Sequence, residues 1–522
     1  MLRRVVDLSL TVEPTRIKHY SYPPPFSEIE PTGPERSRQN VFGLCGVLPY
    51  QLGDYKDEVL MDLYLGHSQP HTHVESFLHD WSTMFADLPA NKRFSRRDIS
   101  QVPAGEFVGE ASVLDFSNME LGREITLEQF KEVGKHIQWG DRVLVNTGFR
   151  ERHPEAYQDD RHFSEAPGIT EEAAMWLIEE KGIVLYATDA VLEADTTEGF
   201  LGIHNLFYTN GVLMMDYSYG LEQLTQDRVF LNTGVVFKHR YSEESPARAV
   251  AIEMDGPDLS KGRLVDLWSP MKINFGTPPQ KPPPNFPRQE PYELKGDLMK
   301  RFRLRLVQVS LANLGEDSPL GREFNVRGMR DWHPYKVLNN HLGTHIEVPY
   351  MDLAEETIPS DVLMDLDRLP AEELCGPAAI LNLTDVGPGQ LITAAHLEKA
   401  GKHIRAGDIV VVRTDFMDNY YLRSDWLKYS PGFDNKALEW IVDKGVKILV
   451  TDTASIEEPT GQGPNPVKNG SAILFKAGIP VVTCAANTWS LQKERAYVFI
   501  SPLTMENLNA APARVIAVEE WT

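Results

Sequence analysis

The stretch ITLEQFKEVGKHIQWGDRVLVNTGF, Ile125 to Phe149, returns 267 residues later as ITAAHLEKAGKHIRAGDIVVVRTDF, Ile392 to Phe416. A second pair follows in the same order: PGITEEAAMWLIEEKGIVLYATDA from Pro167 and PGFDNKALEWIVDKGVKILVTDTA from Pro431, with Trp176 and Trp440 in register. Upstream, ASVLDFS from Ala111 matches AAILNLT from Ala378, and RVVDLSL from Arg4 is read against RLVQVSL from Arg305. Segments repeated in one order at a nearly constant offset indicate a tandem duplication. Two copies are too few for a solenoid, so the expectation is a fused pseudo-dimer.

Each copy carries the same local pattern. DRVLVNTGF and DIVVVRTDF are apolar runs opened by a Gly-Asp turn, which predicts buried strands. Thr170 to Lys181 sets Ala173, Ala174, Leu177 and Ile178 on one helical face and stops at Gly182, a helix C-cap. Lys181 and Lys444 recur at helix ends, where a cation complements the dipole. IVLYATD then reads as another strand. Strands alternating with helices predict an α/β fold in each half.

Between Pro278 and Pro291, PPQKPPPNFPRQEP holds seven prolines and no apolar period. It reads as an extended connector. The expected organisation is a first domain at 1–268, a Pro-rich linker at 269–300 and a divergent second domain at 301–522.

Composition narrows the class. The 522 residues exceed one ordinary core, and 24% charged with 42% hydrophobic residues fits a soluble globular protein. A formal charge of −23 argues against nucleic acid or an anionic membrane as partner. The three cysteines, Cys45, Cys375 and Cys484, are too few and too scattered for a disulfide framework or a thiolate cluster. The N-terminus lacks the apolar core of a signal peptide and no run reaches the length of a membrane span, so a cytoplasmic location is expected.

The chemistry concentrates in GHSQPHTHVESFLHD, Gly66 to Asp80, which holds four of the fifteen histidines. HLGTHIEVPYMD, His341 to Asp352, is its counterpart, and Thr-His-x-Glu is common to both. On an extended segment residues i and i+2 share a face. His73 with Glu75, and His345 with Glu347, can therefore converge on one point. Imidazole plus carboxylate suits Zn²⁺ or Mn²⁺. A donor just upstream would complete the set: His341 in the second copy, and in the first Gln69, a poorer ligand, or His71. Gly343 would allow the backbone to approach closely. The aromatic-rich HYSYPPPF (His19–Phe26) and Tyr420-Tyr421 either line a pocket for a planar substrate or pack within loops.

HLGTHIEVP resembles the His-x-Gly-Thr-His-x-Asp-x-Pro-x-His signature of the cyclase family, which includes bacterial kynurenine formamidases and isatin hydrolase. The resemblance covers both halves. It implies two tandem swivelling β/β/α domains and one or two divalent metals per site, and family members are usually dimeric. Two histidines and an acidic residue would hold metal, and a last histidine, here His79, would act as acid/base. Met351 stands at that place in the second copy. A later histidine and carboxylate twelve residues apart would complete a second metal position. His204 and Asp216 have that spacing, whereas the aligned second-copy residues are Ser471 and Thr483. The resemblance thus implies that the first copy carries catalysis.

Three functions are open. One is metal-activated hydrolysis of an amide, lactam or lactone, with His79 moving the proton. Another is a metal-dependent cyclase or dehydratase closing a ring in aromatic polyketide-type metabolism. The third is a non-catalytic scaffold with vestigial sites. The expected partner is a carbonyl-bearing, aromatic or other small molecule, and a homodimer of the whole chain is compatible with all three.

Overall fold

The computed structural model describes residues 102–154, 165–190, 202–236, 244–254, 256–261, 343–349, 369–420, 426–457, 470–503 and 510–521. It also describes short strands at 4–7, 50–52, 59–61, 73–75, 263–266, 302–304 and 338–339, and single positions at 99, 192, 359, 362 and 366. The Pro-rich stretch 269–300 lies outside the described residues, as does Cys45.

The principal elements of the first half are β1 (Arg4–Asp7), β2 (His73–Glu75), β3 (Val108–Asp115), α1 (Leu127–Val133), β4 (Arg142–Asn146), α2 (Phe149–Arg152), α3 (Glu171–Glu179), β5 (Leu185–Thr188), α4 (Gly202–Thr209), β6 (Leu213–Asp216), β7 (Arg228–Asn232), β8 (Glu244–Pro246), β9 (Val250–Glu253) and β10 (Arg263–Asp266). Those of the second are β11 (His345–Glu347), β12 (Cys375–Asn382), α5 (Ala394–Ala400), β13 (Ile409–Arg413), α6 (Phe416–Tyr420), α7 (Asn435–Asp443), β14 (Ile448–Thr451), α8 (Gly470–Lys476), β15 (Val481–Thr483), β16 (Arg495–Pro502) and β17 (Ala510–Glu519). The chain is mixed α/β, with strands and helices alternating in both halves.

The helices start where side chains can satisfy their first N–H groups. Thr126 accepts from Gln129 N while Gln129 Oε1 accepts from Thr126 N, a reciprocal cap on α1. Thr393 and His396 repeat it on α5. Thr170 caps α3 and Asp434 caps α7, each cap contributing about 1 kcal/mol. α3 buries Ala173, Ala174, Trp176 and Leu177, and Gly182 turns with φ +56°. Lys181 and Lys444 each lie about 5 Å over the Trp176 and Trp440 rings, so these repeated lysines stack on the repeated tryptophans.

The Gly-Asp turns are brackets. Asp141 accepts from Gln138 N, Ser112 Oγ and both terminal nitrogens of Arg228, tying the mouth of β4 to β3 and β7. Asp408 does the same through Arg405 N and Arg495.

In the second half the sheet order is β1-β17-β11-β15-β14-β13-β12-β16, and β16 also pairs with β17. The ten-residue β17 meets β11 through Ala510–Pro512 and β16 through Ala513–Val518, so the sheet closes on itself. Side chains alternate as closure requires. Ile346, Ile380, Val411, Val450 and Val482 share one core with residues of β16 and β17. Their neighbours Leu381, Val412, Leu449 and Val481 pack under α5, α7 and α8. The first half has the order β8-β2-β6-β5-β4-β3-β7-β9-β10. Here β8 and β9 divide the role of β17: Pro246 is opposite His73 as Pro512 is opposite His345.

The N-terminal strand adds to the second half's sheet, and β10 forms the border of the first half's sheet. β1 runs antiparallel to β17, with Asp7 opposite Ile516. β10 runs antiparallel to β9, with Asp266 opposite Val250. RLVD at 263–266 is therefore the structural counterpart of RVVD at 4–7, rather than the RLVQ that begins at Arg305. The halves also share side-chain contacts. Arg248 Nη2 donates to Leu369 O at 2.7 Å, and the Arg514 guanidinium sits 4.5 Å above the Phe107 ring. Phe230 stacks on Phe499, and Asn232 Nδ2 donates to Ser501 Oγ. One apolar cluster runs through Phe107, Val229, Phe230, Tyr497, Phe499, Ile516 and Trp521. Among the described residues no helix is long and apolar enough to cross a membrane.

Candidate active site

Four parallel strands of the first half, β3, β4, β5 and β6, end on the same side. In sheets of this kind ligands bind beyond the carboxyl ends of the strands. The loops there are braced by a buried acid. Asp189 accepts from Thr147 N and Thr147 Oγ1 at 2.7 and 2.8 Å, fastening the loop after β4 to the loop after β5. Burial pushes the Asp189 carboxyl above its ordinary pKa despite these bonds. In the second half Asp452 accepts from Thr414 N, Thr414 Oγ1 and Thr488 Oγ1, and burial raises it to about 6. Since both halves have the brace, its role is to position loops.

β6 ends at Asp216, and the next residue, Tyr217, takes φ +53°. Cys484, after Thr483, takes φ +56°. A bulky residue in this region is disfavoured, so the same sharp turn is built twice at a local cost. Burial drives the Cys484 thiol up to about 12; it is neither an activated nucleophile nor a ready ligand.

Asp216 lies opposite His73 in the β2–β6 ladder, and Met214 lies opposite Glu75. Directly opposed residues of an antiparallel pair share a face, so positions 73, 75 and 216 fall on one face of the sheet. α4 crosses that face and supplies His204. His204 Nε2 is 3.7 Å from Asp216 Oδ2, and both side chains are buried. For His73 and Glu75 only the backbone is described; Gln69, His71, His79 and His341 lie outside the described residues.

The second half sets the same positions to different use. His345 Nδ1 lies 2.8 Å from Gly343 O, a carbonyl that can only accept, so Nδ1–H is the donor there. Gly343 has φ +63°, a conformation that favours glycine. Thr483, opposite His345 in the ladder, places its hydroxyl 3.1 Å from Nε2, and Glu347 Oε1 lies 3.4 Å from it. Ser471, at the position of His204, bonds Glu457 Oε1 through both its N–H and its hydroxyl. Sequence reasoning missed Glu457, because a contact between residues 457 and 471 leaves no local trace in the sequence.

The donor chemistry fits a divalent ion in the first half. Two ligands each about 2.1 Å from one ion at tetrahedral angles lie about 3.4 Å apart. The His204–Asp216 separation of 3.7 Å is too long for a direct hydrogen bond and close to that spacing. Among the described residues no group of three or more His, Cys, Asp or Glu side chains comes together; positions 73 and 75 share the sheet face of Asp216.

Tyr420 stacks between Phe416 and Tyr429 at centroid distances of 5.9 and 4.8 Å, so it packs within the fold. Tyr421 and residues 19–26 lie outside the described residues.

The Cyclase family profile, described as "Putative cyclase", matches residues 6–193 and 279–458, more than half of the chain and one stretch in each half. The chain belongs to the Cyclase family and is an enzyme by that membership, in tandem-duplicated form. Among solved structures it is similar to isatin hydrolase A from Labrenzia aggregata, with 23% identity over 37% of this chain and 79% of that one, TM-score 0.32. Isatin hydrolase A from Ralstonia solanacearum gives 22% identity over 36% and 76%, TM-score 0.30. A structure described as a potential metal-dependent hydrolase with cyclase activity gives 21% over 35% and 83%, TM-score 0.28. No curated protein matches the chain.

Proposed function

We propose that the chain is a divalent-metal-dependent hydrolase acting on an amide, lactam or lactone, built as a pseudo-dimer of swivelling β/β/α domains with catalysis in the first. The observation that carries the reading is the buried His204–Asp216 pair beside ladder position 73. His73, Glu75, His204 and Asp216 would hold the ion, Zn²⁺ or Mn²⁺, with Gln69 or His71 upstream. Bound there, it would polarise a carbonyl and acidify water. His79 would take a proton from the attacking water and return it to the leaving amine or alkoxide. The buried surroundings of Asp216 exclude competing solvent. His341, His345 and Glu347 of the second half would offer a weaker ligand set, and that half chiefly supports the first.

Family membership in the Cyclase family also supports ring closure, with His79 moving an α-proton. Turnover in ¹⁸O-labelled water separates the two: hydrolysis places one label in the product carboxylate, and unlabelled product would sink the hydrolase reading. A homodimer of this chain in the cytoplasm, acting on a small carbonyl compound, completes the proposal.

A further inference from the structure

Arg150 is the second residue of α2, just past the carboxyl end of β4, and it ties three loops together. Its backbone N–H bonds the buried Asp189 carboxyl, which already holds Thr147. Its Nη1 donates to the carbonyl of Tyr217, the residue after Asp216, at 2.9 Å. Its guanidinium carbon also lies 5.3 Å from the centre of the Tyr219 ring. One residue therefore joins the ends of β4, β5 and β6, and it is engaged at its base and at its tip. The neighbouring Arg152 instead donates to the carbonyls of Gly148, Met119 and Thr147.

The turn that Arg150 reaches is a demanding one. Tyr217 takes φ +53°, a conformation that persists only where the surroundings fix it. Ser218 N donates to Thr188 O at 2.8 Å while Arg150 donates to Tyr217 O, so both polar groups of the 217–218 peptide are held. The second half builds the same turn at Cys484, with Ala485 N on Thr451 O. There the carbonyl of Cys484 accepts from Thr344 Oγ1 at 2.7 Å. Thr72, the counterpart of Thr344, lies outside the described residues. At the constant offset Arg150 corresponds to Met417, which packs in an apolar cluster with Cys484. The arginine thus accompanies the half with a carboxylate at this ladder position, and the methionine accompanies the half with a hydroxyl.

We propose that Arg150 is a positioning residue for the divalent-metal site: by holding the 217–218 peptide it keeps the Asp216 carboxylate facing His204, 3.7 Å away. Outer partners that orient a metal ligand typically carry about 10- to 100-fold of metal affinity. Electrostatics works in the opposite direction. A guanidinium repels a divalent cation, so removing its charge alone would tighten binding. A loss of affinity on removing Arg150 therefore reports geometry. The inference rests on the metal reading of the first half.

The test is calorimetric titration of the full chain, freed of metal by a chelator, with Zn²⁺ and with Co²⁺, whose visible absorption reports ligand geometry. Arg150→Met should weaken metal binding about tenfold or more and alter the Co²⁺ spectrum. Arg150→Lys, which keeps a long donor, should recover part of the loss. Arg152→Met should lower the thermal midpoint and leave metal affinity within about threefold. Should Arg150→Met not fold, Arg150→Gln carries the same prediction. Metal binding by these Arg150 variants as tight as the parent's, or tighter, overturns the proposal. Failure of the metal reading would look different: Asp216→Ala would then also bind metal like the parent, whereas failure of the positioning role alone leaves Asp216→Ala impaired.

Discussion

Asp216 and Thr483 hold one register position in two copies of the same ladder, Asp216 opposite His73 and Thr483 opposite His345. Each is followed by a residue forced to positive φ. The backbone is thus conserved across the duplication while the group it presents has changed from a carboxylate to a hydroxyl.

Thr483→Asp should return the lost carboxylate beside His345 Nε2. Without metal, the new buried charge should destabilise the second half by about 2–4 kcal/mol. Zn²⁺ or Mn²⁺ should reverse the loss, because an ion that binds only the folded state stabilises it. Thermal midpoints with and without the ion check this. A variant whose deficit is unchanged by metal would contradict it.

The buried brace predicts a pH dependence. The Asp452 carboxyl titrates near 6 when folded, against a reference of 3.8. Between pH 4 and 6 the folded state therefore holds a proton that the unfolded chain has released. Stability contributed by this group is fully present below pH 4 and falls as pH rises, with about 3 kcal/mol lost by pH 6 and above. Asp189 acts in the same direction. Urea unfolding at pH 4, 5, 6 and 7 should show a smaller decline for Asp452→Asn than for the parent. Equal declines would contradict the assignment.

The brackets at the Gly-Asp turns make a third prediction. Asp141→Ala leaves Arg228 with only Ser112 Oγ and His136 O and removes the acceptor for Ser112 and Gln138 N. The expected cost is about 3 kcal/mol, as for other broken partly buried pairs. Asp408→Ala should cost a similar amount in the other half. With no shared partner, the double variant should show the sum within about 0.5 kcal/mol, read from denaturant midpoints.

The duplication, the α/β alternation and the α3 helix were legible because each depends on a local period or a nearby cap. The pairing of residue 73 with residue 216 was not, since a ladder between strands so far apart leaves no local trace. The counterpart of β1 was misplaced at Arg305 for a similar reason. β1 pairs with the distant β17 whereas RLVD pairs with the nearby β9, and both RLVD and RLVQ fit the local pattern. Spacing raised His204 and Asp216 as a pair through family resemblance, but their approach to 3.7 Å needs α4 to cross the sheet.

Metal content measured by mass spectrometry on the full chain, its His204→Ala form and its Asp216→Ala form tests the central claim most directly. The account predicts a bound divalent ion in the parent and at least about tenfold weaker binding in each variant. Variants that keep the parent's metal content and affinity would contradict it.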